Sequence, residues 1–213
     1  MDLIHPQVQA YAEKYSSEED DLLRSIADYT AKNHPEAHML SGHLQGKLLQ
    51  MISHMIKPHH ILEIGTFTGY SALCLAAGLQ EGGRLHTIEL READARRAKQ
   101  YFDQSEFRDR IILHTGPALE IIPRLSESWD LVFIDADKPG YIDYFNLVLS
   151  KLRKNGFILA DNIFFHGQIF EENRKGKSAR AIYEFNESIK QRNDIDKMIL
   201  TIRDGLYLIR KLQ

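Results

Sequence analysis

The sequence has few of the features that mark several large classes of protein. Cys74 is the only cysteine among 213 residues, so the chain can form neither an internal disulfide nor a zinc site built from cysteines. No apolar run approaches the ~20 residues that a membrane span requires. The opening segment, MDLIHPQVQAYAEKY, is polar where a secretion signal has an apolar core. We therefore expect a cytoplasmic protein with no membrane partner.

Neither sign of charge dominates the composition. Lys and Arg number 27 against 30 Asp and Glu, which gives a net charge of −3 at pH 7. This balance argues against a dedicated nucleic-acid binder, although it leaves room for a local basic patch. We find no internal repeat, low-complexity tract or Pro-, Gly- or Ser-rich linker. The sequence therefore predicts one domain over residues 1–213, long enough to bury a core without disulfides or metals.

Residues 1–57 have the pattern of a helical cap. Apolar side chains spaced for one helix face predict a helix from Ser17 to Lys32. A second helix is predicted to begin at Ser41, whose side chain suits an N-cap, and to end before Pro58.

Residues 58–213 alternate between strand and helix and form the predicted core. Five short apolar strands are predicted at 60–64, 84–90, 110–114, 130–135 and 156–160, with helices near 70–79, 91–105, 117–126 and 139–153. Such alternation predicts parallel βαβ units with helices on both faces of a sheet. Two further strands, 196–203 and 206–210, meet across Asp204-Gly205 and predict an antiparallel hairpin. The fold class is therefore α/β: a doubly wound, mostly parallel seven-stranded sheet with a C-terminal antiparallel hairpin.

A glycine-containing turn follows the first strand in ILEIGTFTGYSA. Gly65 and Gly69 allow a ligand to approach the backbone N–H groups at the start of the next helix. The turn is not G-x-G-x-x-G, so a dinucleotide is disfavoured. Glu63 suits an ammonium group, and Glu89, at the tip of the second strand, can accept both ribose hydroxyls. Together they predict S-adenosylmethionine (SAM), whereas each taken alone also fits a plain tight turn or a solvated acid.

Acidic and amide side chains follow the fourth and fifth strands. Asp135 ends FID, and Asp161 and Asn162 end ILADN. The carboxyl ends of these strands open on one crevice, where the three oxygen ligands suit Mg²⁺, with Mn²⁺ or Ca²⁺ as alternatives. The competing interpretation is that each Asp caps the next helix. Lys138 lies close by; a divalent cation beside it favours the neutral amine, which could act as a base, but it also fits a surface lysine.

These segments resemble the metal-dependent O-methyltransferases typified by the caffeoyl-CoA and catechol O-methyltransferases, here as a bacterial member. The resemblance covers about residues 36–213 and rests on LEIGTFTGYSA, the strand ending in Glu89, FIDADKPGYIDYF and ILADN. It implies the Rossmann-like methyltransferase fold. It also implies a metal site at Asp135, Asp161 and Asn162, and catalytic roles for Lys138 and Asp135. The implied cofactor contacts are Ser41, Glu63, Gly65, Thr66, Ser71, Glu89, Ala118, Asp137 and Tyr144. Asp204 matches a substrate-side residue of some relatives.

The resemblance implies methyl transfer from SAM to a hydroxyl of a small catechol-like acceptor. Residues 164–178 follow no family pattern, although in relatives this loop contacts the acceptor. Two alternatives stay open: the same chemistry on a hydroxylated uridine of tRNA, for which basic residues at 174–180 offer contacts, and an NAD-dependent oxidoreductase. Family members are commonly dimers, so we expect a homodimer.

Overall fold

Seven strands form one sheet in the computed structural model, which describes residues 3–213. In chain order the strands are β1 (His60–Ile64), β2 (Arg84–Glu89), β3 (Ile111–Thr115), β4 (Trp129–Ile134), β5 (Leu152–Asp161), β6 (Ile195–Leu200) and β7 (Leu206–Lys211). Their order across the sheet is β3-β2-β1-β4-β5-β7-β6. β1 to β5 pair in parallel, whereas β7 runs antiparallel to both β5 and β6. The predicted fold class is confirmed.

Eight α-helices accompany the sheet over the described residues. They are α1 (Pro6–Tyr15), α2 (Asp21–Asn33), α3 (His43–Ile56), α4 (Tyr70–Ala76), α5 (Glu92–Phe102), α6 (Ala118–Ile121), α7 (Tyr141–Lys151) and α8 (Lys177–Lys190). Short 3-10 helices lie at Ala37–Met39, Ile122–Arg124, Lys138–Gly140 and Phe165–Phe170. No helix within residues 3–213 is long and apolar enough to cross a membrane.

Apolar side chains cover both faces of the sheet. Adjacent residues of a strand point to opposite faces, and accordingly Leu62 and Val132 pack with α7 and α8, whereas Ile61 and Leu131 pack with α2 to α5. Cys74 belongs to the second cluster and is fully buried. This double cover leaves the carboxyl ends of the strands as the open edge. β1 is flanked by β2 on one side and β4 on the other, and this reversal of strand order opens a crevice there.

The structure corrects several predicted boundaries. Gly42, not Ser41, is the N-cap of α3; its φ is 75°, and no side chain caps this helix end. The predicted helix 117–126 is reduced to four α-helical residues and a 3-10 turn containing Pro123. α1 was not predicted as a separate helix, because it buries no residue and so lacks the apolar stripe that marks a packed helix. The predicted cap begins with Met1 and Asp2, which lie outside the described residues.

At Gly65 the turn after β1 lies directly against the main chain that follows β4. The φ of Gly65 is 101°, and a Cβ atom there would lie 1.9 Å from the carbonyl oxygen of Asp135. A side chain would therefore be strained both by the backbone conformation and by a collision with main chain, which has no rotamer by which to move away.

We expect Gly65→Ala to destabilise the fold more than a glycine replacement that meets only conformational strain. Gly176, with φ 97° and no atom within 4 Å of the position that a Cβ would occupy, provides the matched control. Gly176→Ala should lower the unfolding free energy by about 1–3 kcal/mol, and Gly65→Ala by about 2 kcal/mol more because of the collision. Urea denaturation of both variants measures the difference; equal losses would contradict the steric argument.

Candidate functional site

A cavity of about 1070 Å³ opens at the carboxyl ends of β1, β2, β4 and β5. Residues 3–9 and 38–41 of the N-terminal cap close its outer side, and residues 203–204, before β7, line another wall. Most of the predicted site residues line it: Ser41, Gly65, Thr66, Ser71, Glu89, Ala118, Asp135, Asp137, Lys138, Tyr144 and Asn162. Glu63 and Asp161 do not; both lie buried just behind the wall. The structure therefore brings the predicted residues together, while their individual roles stay predictions.

Backbone amides of two loops hold the Glu89 carboxylate in place. Oε2 accepts a hydrogen bond from the N–H of Phe67 (2.7 Å), and Oε1 accepts one from the N–H of Arg91 (2.9 Å). Because each carboxylate oxygen has a second lone pair, Glu89 can still accept hydroxyl groups from a ligand in the cavity. It thereby joins the turn after β1 to the start of α5.

Glu63 is an acid buried without a cation. Thr87 Oγ1 donates to its Oε2 at 2.5 Å, and Thr66 and Thr87 share a hydrogen bond of 2.5 Å. Its Oε1 has no hydrogen-bond partner among residues 3–213. Burial raises the pKa of the Glu63 carboxyl to about 8; the nearby hydroxyls of Ser71 and Thr87 lower it in part, and the charges of Asp135 and Glu89 raise it. A positive group of a ligand beside Glu63 would favour the ionised form of this carboxyl.

Lys138 joins the two strand ends at the centre of the site. Its Nζ donates to Asp135 Oδ1 (3.2 Å), Asn162 Oδ1 (2.9 Å) and the hydroxyl of Tyr141 (2.6 Å). Tyr141 in turn donates to the main-chain carbonyl of Asp161 at 2.9 Å. Two oxygens from neighbouring strands thus converge on one positive charge, held by a tyrosine that the sequence analysis did not select.

Asp161 is almost fully buried, and both of its carboxylate oxygens are engaged. Oδ1 accepts from the N–H of Asn162 (2.8 Å), and Oδ2 accepts from Gln45 Nε2 of α3 (2.6 Å). Burial raises the pKa of the Asp161 carboxyl to about 6, and the nearby charge of Asp135 adds to the rise against the lowering by Lys138. Gln45 was missed because nothing in the local sequence connects it with a residue 116 positions away.

Two further predicted site residues, Tyr144 and Ser41, make hydrogen bonds at the cavity wall, the first through its side chain and the second through its main chain. Tyr144 donates its hydroxyl to Asp137 Oδ1 at 2.5 Å, so the tyrosine fixes the acid at the cavity wall. Ser41 contributes its main-chain carbonyl, which accepts a hydrogen bond from Arg203. Arg203 therefore connects the cap with the turn before β7.

The unmatched loop, residues 164–178, supplies part of the cavity wall beside Asp204. Asp204 Oδ1 accepts from the N–H of His166 (2.7 Å), while its buried Oδ2 has no hydrogen-bond partner within the described part of the chain. Phe165 and His166 adopt left-handed conformations, with φ of 47° and 55°. Asp204 can therefore accept a hydrogen bond from a ligand at the end of the cavity nearest this loop.

The sequence is similar to those of known O-methyltransferases. A family model described as O-methyltransferase matches residues 13–212. A catechol O-methyltransferase of Niastella koreensis is 32% identical over 92% of this chain and 90% of its own length. A caffeoyl-CoA O-methyltransferase of Eucalyptus gunnii is 28% identical over 92% and 82%, respectively.

The chain belongs to the O-methyltransferase family. Among solved structures, the O-methyltransferase TomG of Streptomyces achromogenes, in complex with SAM, superposes with a TM-score of 0.88 at 28% identity, covering 97% of this chain and 96% of that one. The SAH-bound methyltransferase PaMTH1 of Podospora anserina gives 0.89 at 30% identity, covering 97% and 94%. The predicted resemblance and the enzyme class, a SAM-dependent O-methyltransferase, are confirmed.

Glu63 gives this O-methyltransferase a pH dependence that can be measured without ligands. The folded pKa of about 8 lies above the ordinary value of 4.5, so the folded state binds more protons and the unfolding free energy falls as pH rises from about 4.5 to about 8. We expect Glu63→Gln to remove this component, worth on the order of a few kcal/mol. Urea denaturation at pH 5 and pH 8 measures it.

The exposed Glu92 of α5 provides the control for this experiment. Glu92→Gln should keep the pH dependence of the unmodified protein. The same loss of stability toward pH 8 in Glu63→Gln would show that Glu63 is not the group responsible.

Proposed function

We propose that the protein transfers the methyl group of SAM to one of two neighbouring hydroxyls on a small aromatic acceptor, assisted by a divalent cation at Asp135, Asp161 and Asn162. The observation that carries the proposal is the convergence of Asp135 and Asn162 oxygens on a single positive charge in the wall of the cavity. The names of the relatives, catechol and caffeoyl-CoA O-methyltransferases, support this acceptor class.

SAM fits the side of the cavity formed by the turns after β1 and β2. Glu89 presents an oriented carboxylate that suits the ribose hydroxyls. Gly65 lines the same side of the cavity. Glu63 lies behind the cavity wall, and its Oε1 has no hydrogen-bond donor among residues 3–213. This favours a ligand that bears an ammonium group. Glu89 would thus contact the adenosine end of the cofactor, and Glu63 would favour its amino-acid end.

The residues at the strand ends fit a hard divalent cation. Asp135, Asp161 and Asn162 offer carboxylate and amide oxygens, the ligands that Mg²⁺ and Mn²⁺ prefer. The raised pKa of Asp161, due to its burial and to the charge of Asp135, indicates that these acids lack sufficient positive charge. Among residues 3–213 no set of three His, Cys, Asp or Glu side chains forms a metal site; the proposed third ligand is the Asn162 amide. A bound cation supplies charge that favours ionisation of a neighbouring hydroxyl.

Lys138 is the proposed base. The side-chain oxygens of Asp135 and Asn162 that now accept hydrogen bonds from Lys138 are the same atoms that would bind the cation. When the cation is bound, the hydroxyl of Tyr141 would still hold Nζ at the cavity wall. Once a bound cation favours its neutral amine form, Nζ could accept the proton of the acceptor hydroxyl and become the ammonium. Residues on both sides of the cavity would have to hold the acceptor oxygen in line with the methyl group and the sulfur, and such alignment at about 3–3.5 Å would supply much of the acceleration.

The acceptor is proposed to be small because the N-terminal segment closes the cavity. Leu3, Ile4 and Pro6 line it together with His38 and Met39. On the outer surface of the same region, Tyr11 and Tyr15 of α1 and Met51 and Met55 of α3 are exposed. These exposed apolar groups support the expected homodimer, which a sedimentation mass of twice 24.6 kDa would verify.

Methyl transfer from labelled SAM to 3,4-dihydroxybenzoate tests the proposed function. We expect turnover with Mg²⁺ and its loss with EDTA, restored by added Mg²⁺. Turnover that persists in EDTA would contradict the cation. Firm SAM binding with no transfer to any catechol would overturn the small acceptor, and tRNA would be tested next.

Asp135→Ala separates catalysis from cofactor binding. We expect turnover to fall at least 100-fold, because both the cation site and the partner of Lys138 are lost, while the affinity for S-adenosylhomocysteine, measured by calorimetry, changes little. Asp143→Ala, at an exposed position in the first turn of α7, is the control and should keep full activity. Full activity of Asp135→Ala would refute the role of Asp135.

A further inference from the structure

Gln45 is a buried amide that reaches the candidate cation site from the N-terminal cap. It is the third residue of α3 and is fully buried. Its Nε2 donates to Oδ2 of Asp161 at 2.6 Å. A carboxylate only accepts hydrogen bonds, so the nitrogen of the amide must be the atom that faces Asp161.

Packing alone does not account for an amide at this position. Gln45 Oε1 is buried and finds no hydrogen-bond donor among residues 3–213. An unpaired buried carbonyl is unfavourable by about 1–3 kcal/mol, which an apolar side chain of similar length would avoid. Gln45 does not line the cavity either, so it does not act by touching a ligand there. Its hydrogen bond to Asp161 is the one polar contact that the described residues give its side chain.

That contact determines how the Asp161 carboxylate is oriented. Oδ1 is held by the N–H of Asn162, a donor that the strand end provides whatever the surrounding side chains. Oδ2 is held by Gln45. Two donors on different oxygens restrict rotation of the carboxylate plane, and one of them comes from a separate element of the fold. Carboxylates that bind metals are commonly fixed in this way by a hydrogen bond from a residue that does not itself bind the metal.

We propose that Gln45 is a positioning residue that orients Asp161 toward the divalent cation, so that the N-terminal cap completes the cation site of the sheet. This inference rests on the proposed function. Because Gln45 acts through Asp161, it should affect the affinity for the cation and leave the SAM side of the cavity, at Glu89 and Gly65, unaffected.

Gln45→Met tests this role, since methionine keeps the length of the side chain and removes the donor. Mn²⁺ is titrated into the full-length protein saturated with S-adenosylhomocysteine, and free Mn²⁺ is measured by electron paramagnetic resonance. We expect Mn²⁺ affinity 10- to 100-fold weaker than in the unmodified protein, with unchanged affinity for S-adenosylhomocysteine. Turnover should recover as the Mn²⁺ concentration is raised, which a general distortion of the fold would not permit.

Gln50→Met makes the same chemical change on α3 at a partly exposed position and is the matched control. It should bind Mn²⁺ as the unmodified protein does. Gln45→Leu replaces Gln45→Met if the latter does not fold, as judged by near-ultraviolet circular dichroism.

The outcomes separate this inference from the proposed function. Unchanged Mn²⁺ affinity in the Gln45 variant overturns the positioning role and leaves the cation site standing. Equal losses of Mn²⁺ and S-adenosylhomocysteine affinity also overturn it, because they would indicate distortion of the whole cavity. An unmodified protein that does not bind Mn²⁺ overturns both.

Discussion

Buried negative charge at the carboxyl ends of the strands is the constraint on which the site depends. Glu63 and Asp161 lie buried behind the cavity wall that Asp135 lines, and the Lys138 ammonium lies between two strand ends, where it offsets the nearby acids. Carboxylates this close favour their neutral forms unless positive charge or donors are supplied. The threonine pair beside Glu63 and the amide beside Asp161 answer the same need. The site therefore favours a ligand that brings a cationic group to these acids.

This constraint also explains why the cap and the sheet form one functional unit. The cap supplies Gln45 to Asp161 and the Ser41 carbonyl to Arg203, so hydrogen bonds connect it with the last residue of β5 and with the turn before β7. Pro6 and His38 add walls to the cavity without touching the acids. Division of the chain into a helical cap and an α/β core describes its pattern, but the chemistry of the site spans both.

Most of the sheet was predictable because its signals are local. The short apolar strands, the Gly65 turn and the acids at the ends of β4 and β5 lie in short segments, and parallel topology brings those segments together. What could not be predicted depends on contacts distant in sequence: Gln45 reaches Asp161, and Tyr141, the partner of Lys138, donates its hydroxyl to the carbonyl of Asp161, 20 positions away. The helix start at Ser41 was wrong for a local reason, since Gly42 adopts a positive φ and displaces the cap by one residue. α1 has no buried face from which it could be recognised.

The weak packing of α1 has a consequence for the stability of the cavity wall. α1 buries none of its residues, although Pro6 and Gln9 line the cavity. A segment with few buried contacts opens locally at a small fraction of the free energy of global unfolding. The part of the cavity wall that α1 provides therefore opens at a lower free energy than the strand ends of β1 and β4, whose residues are buried in the core.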